Sequence, residues 1–122
     1  MVFFDGEEGH GVNRHDRIKR SKEISFILRS GRRSRRKGFT VVYQLTQYPG
    51  DRFAVLVSRK HGNAVARNRI KRRFREVFRY GKGTESPYFD IVIRPDFEID
   101  CEYTILLDDF LEWRMNSGVY PK

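Results

Sequence analysis

The first twenty or so residues show no repeating order of apolar and polar positions and are rich in Gly, Asp, Glu and His. From Ser21 the pattern changes. In SKEISFILRSG (21–31), Ile24, Ile27 and Leu28 share a helical face. Ser21 stands at an N-cap position, Glu23 in the first turn and Gly31 at a C′ stop, so a short helix is predicted. The run RRSRRKG has no apolar residue to bury and is expected to be a loop. In FTVVYQLTQ (39–47), Phe39, Val41, Tyr43 and Leu45 alternate with Thr40, Val42, Gln44 and Thr46. That period of two predicts a strand. The turn residues of YPGD then imply that RFAVLVS (52–58) returns antiparallel to it.

NAVARNRIKRRFREVF (63–78) carries the strongest helical pattern. Asn63 is a predicted N-cap, and Ala66, Ile70, Phe74, Val77 and Phe78 fall within one arc of about 120°. Asn68, Lys71, Arg72, Arg75 and Arg79 fall outside it, with Arg67 just inside one edge and Arg73 just beyond the other. The apolar stripe is expected to anchor this helix while most of its cations face outward. After a loop at GKGTESP, YFDIVIRP (88–95) reads as a third strand closed by Pro95. DCEYTILLDDFLEWRM (100–115) reads as a helix capped by Asp100, with Tyr103, Leu106, Leu107, Phe110 and Leu111 inward. The order helix, strand, strand, helix, strand, helix predicts an α+β fold, a mixed two-layer domain over 17–116. Residues 1–16 are expected to be a flexible segment and 117–122 a tail.

Charge changes this picture more than composition does. Between Val12 and Lys82 the chain holds 22 Lys and Arg against 4 Asp and Glu, a net of +18 within a total of +9. A positive body with acidic ends recruits polyanions, nucleic acid before an anionic membrane. Seven basic residues from Arg67 to Arg79 face a single acid, Glu76, so this helix lacks the opposite-charge pairs that stabilise a solvated one. Arginine suits a phosphate backbone because its planar guanidinium stays charged and donates two hydrogen bonds at once.

Other chemistry finds little support. His10, His15 and His61 stand in no acid, nucleophile or metal-ligand constellation and are expected at the surface. Asp108, Asp109 and Glu112 are expected on a solvated helix face, and Cys101, the one cysteine, is expected to be structural. GKGT (81–84) lacks the spacing of a phosphate loop. No apolar run approaches a membrane span, and the N-terminus lacks the features of a signal peptide, so the expected location is the cytoplasm.

LVSRKHGNAVARNRIKRRFREVF (56–78) resembles the central signature of the bacterial ribonuclease P protein subunit. Arg67-Asn68-Arg69 followed by Ile70-Lys71-Arg72 is the specific part, and the similarity extends from about Arg17 to Arg114. The resemblance implies a small α/β sandwich with a mixed sheet and a left-handed βαβ crossover around the Arg-rich helix, a fold shared with some ribosomal proteins. It implies a partner, the catalytic RNA of an endoribonuclease that removes the 5′ leader from precursor tRNA, with catalytic Mg²⁺ held by that RNA. Carried over by position, Arg59, Lys60, Arg67, Asn68, Arg69, Lys71, Arg72 and Arg75 lie against RNA. The family's leader cleft, often aromatic, maps onto Ile24, Leu28 and Val42, all aliphatic here; Phe26 or Tyr43 would serve only in another register. Two further readings share the charge and size: a ribosomal or ribosome-assembly protein, and a DNA-binding module, for which no dimerisation element or base-reading pattern is evident.

Overall fold

The computed structural model describes residues 2–3, 16–99 and 102–119. Its elements are β1 (Val2–Phe3), α1 (Ser21–Ser30), β2 (Arg32–Arg35), β3 (Phe39–Leu45), β4 (Arg52–Val55), β5 (Val57–Ser58), a 3-10 turn (Arg59–His61), α2 (Ala64–Gly81), β6 (Phe89–Pro95) and α3 (Tyr103–Val119). Four strands form a mixed sheet in the order β2-β3-β6-β4, and β1 pairs antiparallel with β5. Strand β3 runs antiparallel to both β2 and β6, while β6 runs parallel to β4, so α2 spans a βαβ unit.

As expected, the chain after YPGD runs antiparallel to β3, but the two strands do not pair. The strand after YPGD does not sit beside β3, because β6 lies between them. The physical reason lies in β6 itself: Phe89 to Ile93 are all buried, and such a continuous apolar run belongs where both faces are covered. The 52–58 segment also breaks into two strands at Leu56, whose N–H still bonds the Ile93 carbonyl at 2.9 Å.

The basic run at 32–37 is a second correction. Residues 32–35 form edge strand β2, not a loop, in register with β3 from Arg32–Tyr43 to Arg35–Thr40. A charged edge strand needs no apolar alternation and resists pairing with a second molecule.

Two apolar clusters hold the layers. Successive residues of a strand point to opposite faces. Phe39, Val41, Phe53, Val55, Ile91 and Ile93 therefore pack under α2 and α3 with Ile70, Phe74, Val77, Phe78, Leu106, Phe110 and Trp113. On the other face Val42, Ala54 and Val92 meet Ile24 and Ile27 of α1, joined by Ile18 and Leu56. The main sandwich is thus sheet against α2 and α3, with α1 laid over a smaller patch behind.

Helix ends follow the predicted chemistry in one case and depart from it in another. Asn63 caps α2, its Oδ1 accepting from the Ala66 N–H at 2.9 Å. Ser21 does not cap α1; Arg20 holds that position without a side-chain bond, and Ser21 is the first helical residue. Nor is Gly31 a left-handed stop, since its φ is −77°. It is needed for closeness: a Cβ there would lie 2.7 Å from the Ile27 carbonyl and 2.9 Å from that of Tyr43. Helix α3 runs beyond the predicted end and buries Trp113, which the inward set omitted. The expectations for His10, His15, Asp100 and Cys101 lie outside the described residues.

Candidate nucleic-acid interface

Helix α2 presents its cations by burying its stripe. Phe74, Val77 and Phe78 are fully buried, and Phe74 meets Phe39 edge-on at 5.2 Å between ring centroids. On the far side Asn68, Arg69, Arg72, Arg73 and Arg79 are exposed, and Lys71 and Arg67 half-buried. Among the described residues Arg69, Arg72 and Arg73 form no ion pair; Glu76 reaches Arg79 at 3.5 Å. Arg67 donates to the Gly62 carbonyl at 2.8 Å, which holds its stem across the helix start.

Arg75 departs from its expected place. It is 8% exposed, so it belongs to the packed side and not to the outward set. Lys82, two turns on, pairs with Asp16 at 2.8 Å. A wheel drawn for an isolated helix shows nothing of such a neighbour.

Arg59 and Lys60 sit on the 3-10 turn just before α2, and both are exposed. Ser58 caps this turn, its Oγ accepting from the Lys60 N–H at 3.3 Å. Gly62 then takes φ +117°, a conformation suited to glycine, and leads into the Asn63 cap. The chain therefore passes from turn to helix through a fixed corner, and Arg59, Lys60 and the exposed cations of α2 form one continuous basic border.

Beside this border lies an open cleft of about 770 Å³, lined by Leu28, Leu56 and Val57 below, Arg33, Arg94 and Phe97 on its walls, and His61 at the turn. Phe97 is 55% exposed, with the Lys60 ammonium 5.5 Å from its ring centroid. Of the three predicted cleft positions only Leu28 reaches this space. Ile24 and Val42 are 3% and 0% exposed because alternation turns Val42 into the core beneath α1, where Ile24 meets it. Tyr43 faces the opposite cluster, edge-on to Trp113 at 5.0 Å. Phe26 is exposed and borders a separate hollow with Lys22 and Gln44.

The sequence reading missed Phe97, Arg94 and His61. For Phe97 the available signal was an aromatic residue two positions past the end of an apolar strand. His61 was expected at the surface, yet it is 9% exposed. Its signal was its place three residues after Ser58, the reach of a capping box.

The acids nearby are committed to arginines. Asp90 takes two bonds from Arg52, at 2.9 and 3.0 Å, and the Tyr48 ring covers the guanidinium at 4.0 Å. Burial acts most strongly and would lower the Arg52 pKa, but the Asp90 hydrogen bonds together with the charge interactions of Asp90, Glu23 and Tyr48 hold it above the ordinary value. Asp51, 1% exposed, accepts from Arg114 and from the Gly83 and Phe89 amides. Asp109, expected to be solvated, is half-buried and binds Arg36 at 2.6 Å and the Lys37 amide at 2.7 Å. Among the described residues no group of three or more His, Cys, Asp or Glu is placed to hold a metal ion, and no helix is long and apolar enough to cross a membrane.

Comparison with known proteins fits this geometry. The family model for ribonuclease P matches residues 12–112. A ribonuclease P protein component from Syntrophobacter fumaroxidans is 41% identical over 87 residues, covering 69% of this chain and 73% of that protein. One from Thermotoga maritima is 31% identical over 90 residues, covering 74% and 77%. The solved structure of the Thermotoga maritima ribonuclease P protein superposes with a TM-score of 0.68 at 27% identity, covering 82% of this chain and 96% of that one. A Staphylococcus aureus ribonuclease P protein gives 0.66 at 26%, covering 83% and 93%. These matches favour the ribonuclease P reading over the ribosomal one. With the basic border of α2 and the mixed sheet behind it, they show that the chain belongs to the bacterial ribonuclease P protein family, components that work with RNA in a tRNA-processing holoenzyme.

Proposed function

We propose that the exposed face of α2, with Arg59 and Lys60, docks this chain on the catalytic RNA subunit of ribonuclease P. The cleft beside α1 receives the single-stranded 5′ leader of precursor tRNA, and the assembly removes that leader endonucleolytically. The observation that carries this reading is the exposure of Arg69, Arg72 and Arg73 without an acidic partner among the described residues. Cations left unneutralised on a rigid helix gain most from displacing counterions off a phosphate backbone. The cleft adds an apolar floor and the Phe97 face, against which an unpaired base stacks, while Arg33 and Arg94 lie within reach of its phosphates.

Hydrolysis falls to the RNA. The buried carboxylates Asp51 and Asp90 are saturated by arginines and amides, which leaves neither poised as a general base. Mg²⁺ held by the RNA subunit supplies the Lewis acid and the activated water, and the protein contributes positive charge and a seat for the leader. The working location is the cytoplasm, where precursor tRNA is made.

Reconstitution tests this directly. The protein is mixed with a bacterial ribonuclease P RNA, and cleavage of precursor tRNA is followed at limiting Mg²⁺. Correct 5′ ends, formed faster with the protein than with RNA alone, are expected, as is no cleavage by RNA-free protein. Equal rates with and without the protein would refute the proposal.

A further inference from the structure

The imidazole of His61 joins three parts of the interface. Its Nδ1 accepts from the Ser58 N–H at 3.0 Å, and its Nε2 lies 2.9 Å from the Pro95 carbonyl at the end of β6. A backbone N–H only donates and a carbonyl only accepts, so both bonds form together in one state alone: neutral, with the proton on Nε2. The ring also stands edge-on to Phe97 at 4.9 Å between centroids. His61 thus ties the central strand of the sheet to the turn that carries Arg59 and Lys60 and to the aromatic wall of the cleft.

We propose that His61 is a positioning residue for RNA binding: its Nε2–H tautomer pins the Arg59–His61 turn to β6, holding Arg59 and Lys60 in line with the basic face of α2. The proposal rests on the RNA-docking role given above and adds to it a residue that touches no RNA. Arg59 and Lys60 have long, entropic side chains on a turn of three residues. Without the two imidazole bonds, the turn keeps the Ser58 hydroxyl cap at its start and the Gly62 corner at its end. Its link to the sheet is lost. The cations remain but are presented over many arrangements, and each phosphate contact then costs more ordering on binding. Glutamine at this position would retain the pair, since its amide offers an oxygen to the Ser58 N–H and an N–H to the Pro95 carbonyl.

The test is a double-mutant cycle on the full chain, with salt-dependent affinity for the ribonuclease P RNA as readout and thermal melting alongside. His61→Ala is expected to weaken binding by about five- to tenfold at moderate salt and to flatten the slope of log affinity against log salt by about one phosphate contact. His61→Gln should restore both to near the parent's values. In a chain already carrying Arg59→Ala and Lys60→Ala, His61→Ala should change affinity by less than about twofold, since the groups it positions are gone. The proposal is overturned if His61→Ala leaves affinity and slope unchanged, if glutamine fails to rescue a variant that melts like the parent, or if the histidine effect persists in full without Arg59 and Lys60. A distinct outcome, in which Arg59→Ala with Lys60→Ala leaves RNA affinity untouched, would instead strike the docking role of the turn and take this proposal with it.

Discussion

Two stretches of this chain are almost equally rich in arginine, and the fold uses them in opposite ways. In the stretch from β2 to β3 three of the arginines bond back to the protein, Arg35 and Arg36 of them to its acids. Arg33 donates to the Leu28 carbonyl at the end of α1 at 2.6 Å, Arg35 binds Asp96 through two bonds, and Arg36 bridges Asp109 and Glu112 of α3. In α2, Arg69, Arg72 and Arg73 have no such acids among the described residues. A count of basic residues cannot separate the two; the positions of Asp96, Asp109 and Glu112 do. Basic charge answered within the chain fastens an edge strand, and basic charge left unanswered is available to a polyanion.

The widest expected contrast lies within α2 itself. Phe74→Ala should cost about 3 to 5 kcal/mol of stability through the cavity it opens, read as a lowered denaturation midpoint, with RNA affinity intact wherever the variant remains folded. Arg69→Ala combined with Arg72→Ala should leave melting within a degree or two of the parent, while RNA affinity falls by about one to two orders of magnitude and the salt slope loses roughly two contacts. Unchanged affinity would place the outward face away from RNA. Arg36→Ala should do the reverse: a loss of about 1 to 3 kcal/mol of stability, because Asp109 is left half-buried without its partner, and RNA affinity within about twofold of the parent. If Arg36→Ala weakened RNA binding as much as the α2 double substitution does, the division between the two regions would fail. The smallest effect should come from pH. The hydrogen bonds from Arg35, joined by its charge, outweigh the effect of burial and hold the Asp96 carboxyl below its ordinary pKa of 3.8. That stabilisation is therefore full above the ordinary aspartate range and is lost as pH falls through the lower folded value. Asp96→Asn should flatten this acid limb of the melting profile, and an identical limb in the variant would show that the pair contributes nothing.

The anchored face of α2, the period-two strand β3 and the continuous apolar strand β6 were all legible, because local spacing reports which side of an element is buried. Strand β2 was not: an edge strand bonded along one side has no reason to alternate. The place of β6 between β3 and β4 was equally hidden, since a turn such as YPGD reverses the chain without naming the strand beside which it ends. The residues that the family resemblance assigned to RNA include Arg59, Lys60, Asn68, Arg69 and Arg72, all of which are exposed. The resemblance did not reveal that Arg75 is buried. Nor did it show that Ile24 and Val42 have turned into the core, leaving Leu28 to share the cleft with Phe97 and Arg94.

The central place of β6 also sets the order in which the molecule can be made. As the chain leaves the ribosome, β2, β3 and β4 emerge ahead of β6; until residues 89–95 follow, β3 has only β2 beside it in the sheet and β4 has no strand of the sheet beside it. Contacts of such long sequence separation form late and slowly. The arginines of α2 are therefore synthesised before the sheet that will hold them in register, and an RNA met at that stage finds a basic segment without its scaffold. Completion of β6 is the step that turns a polycation into a surface of defined shape.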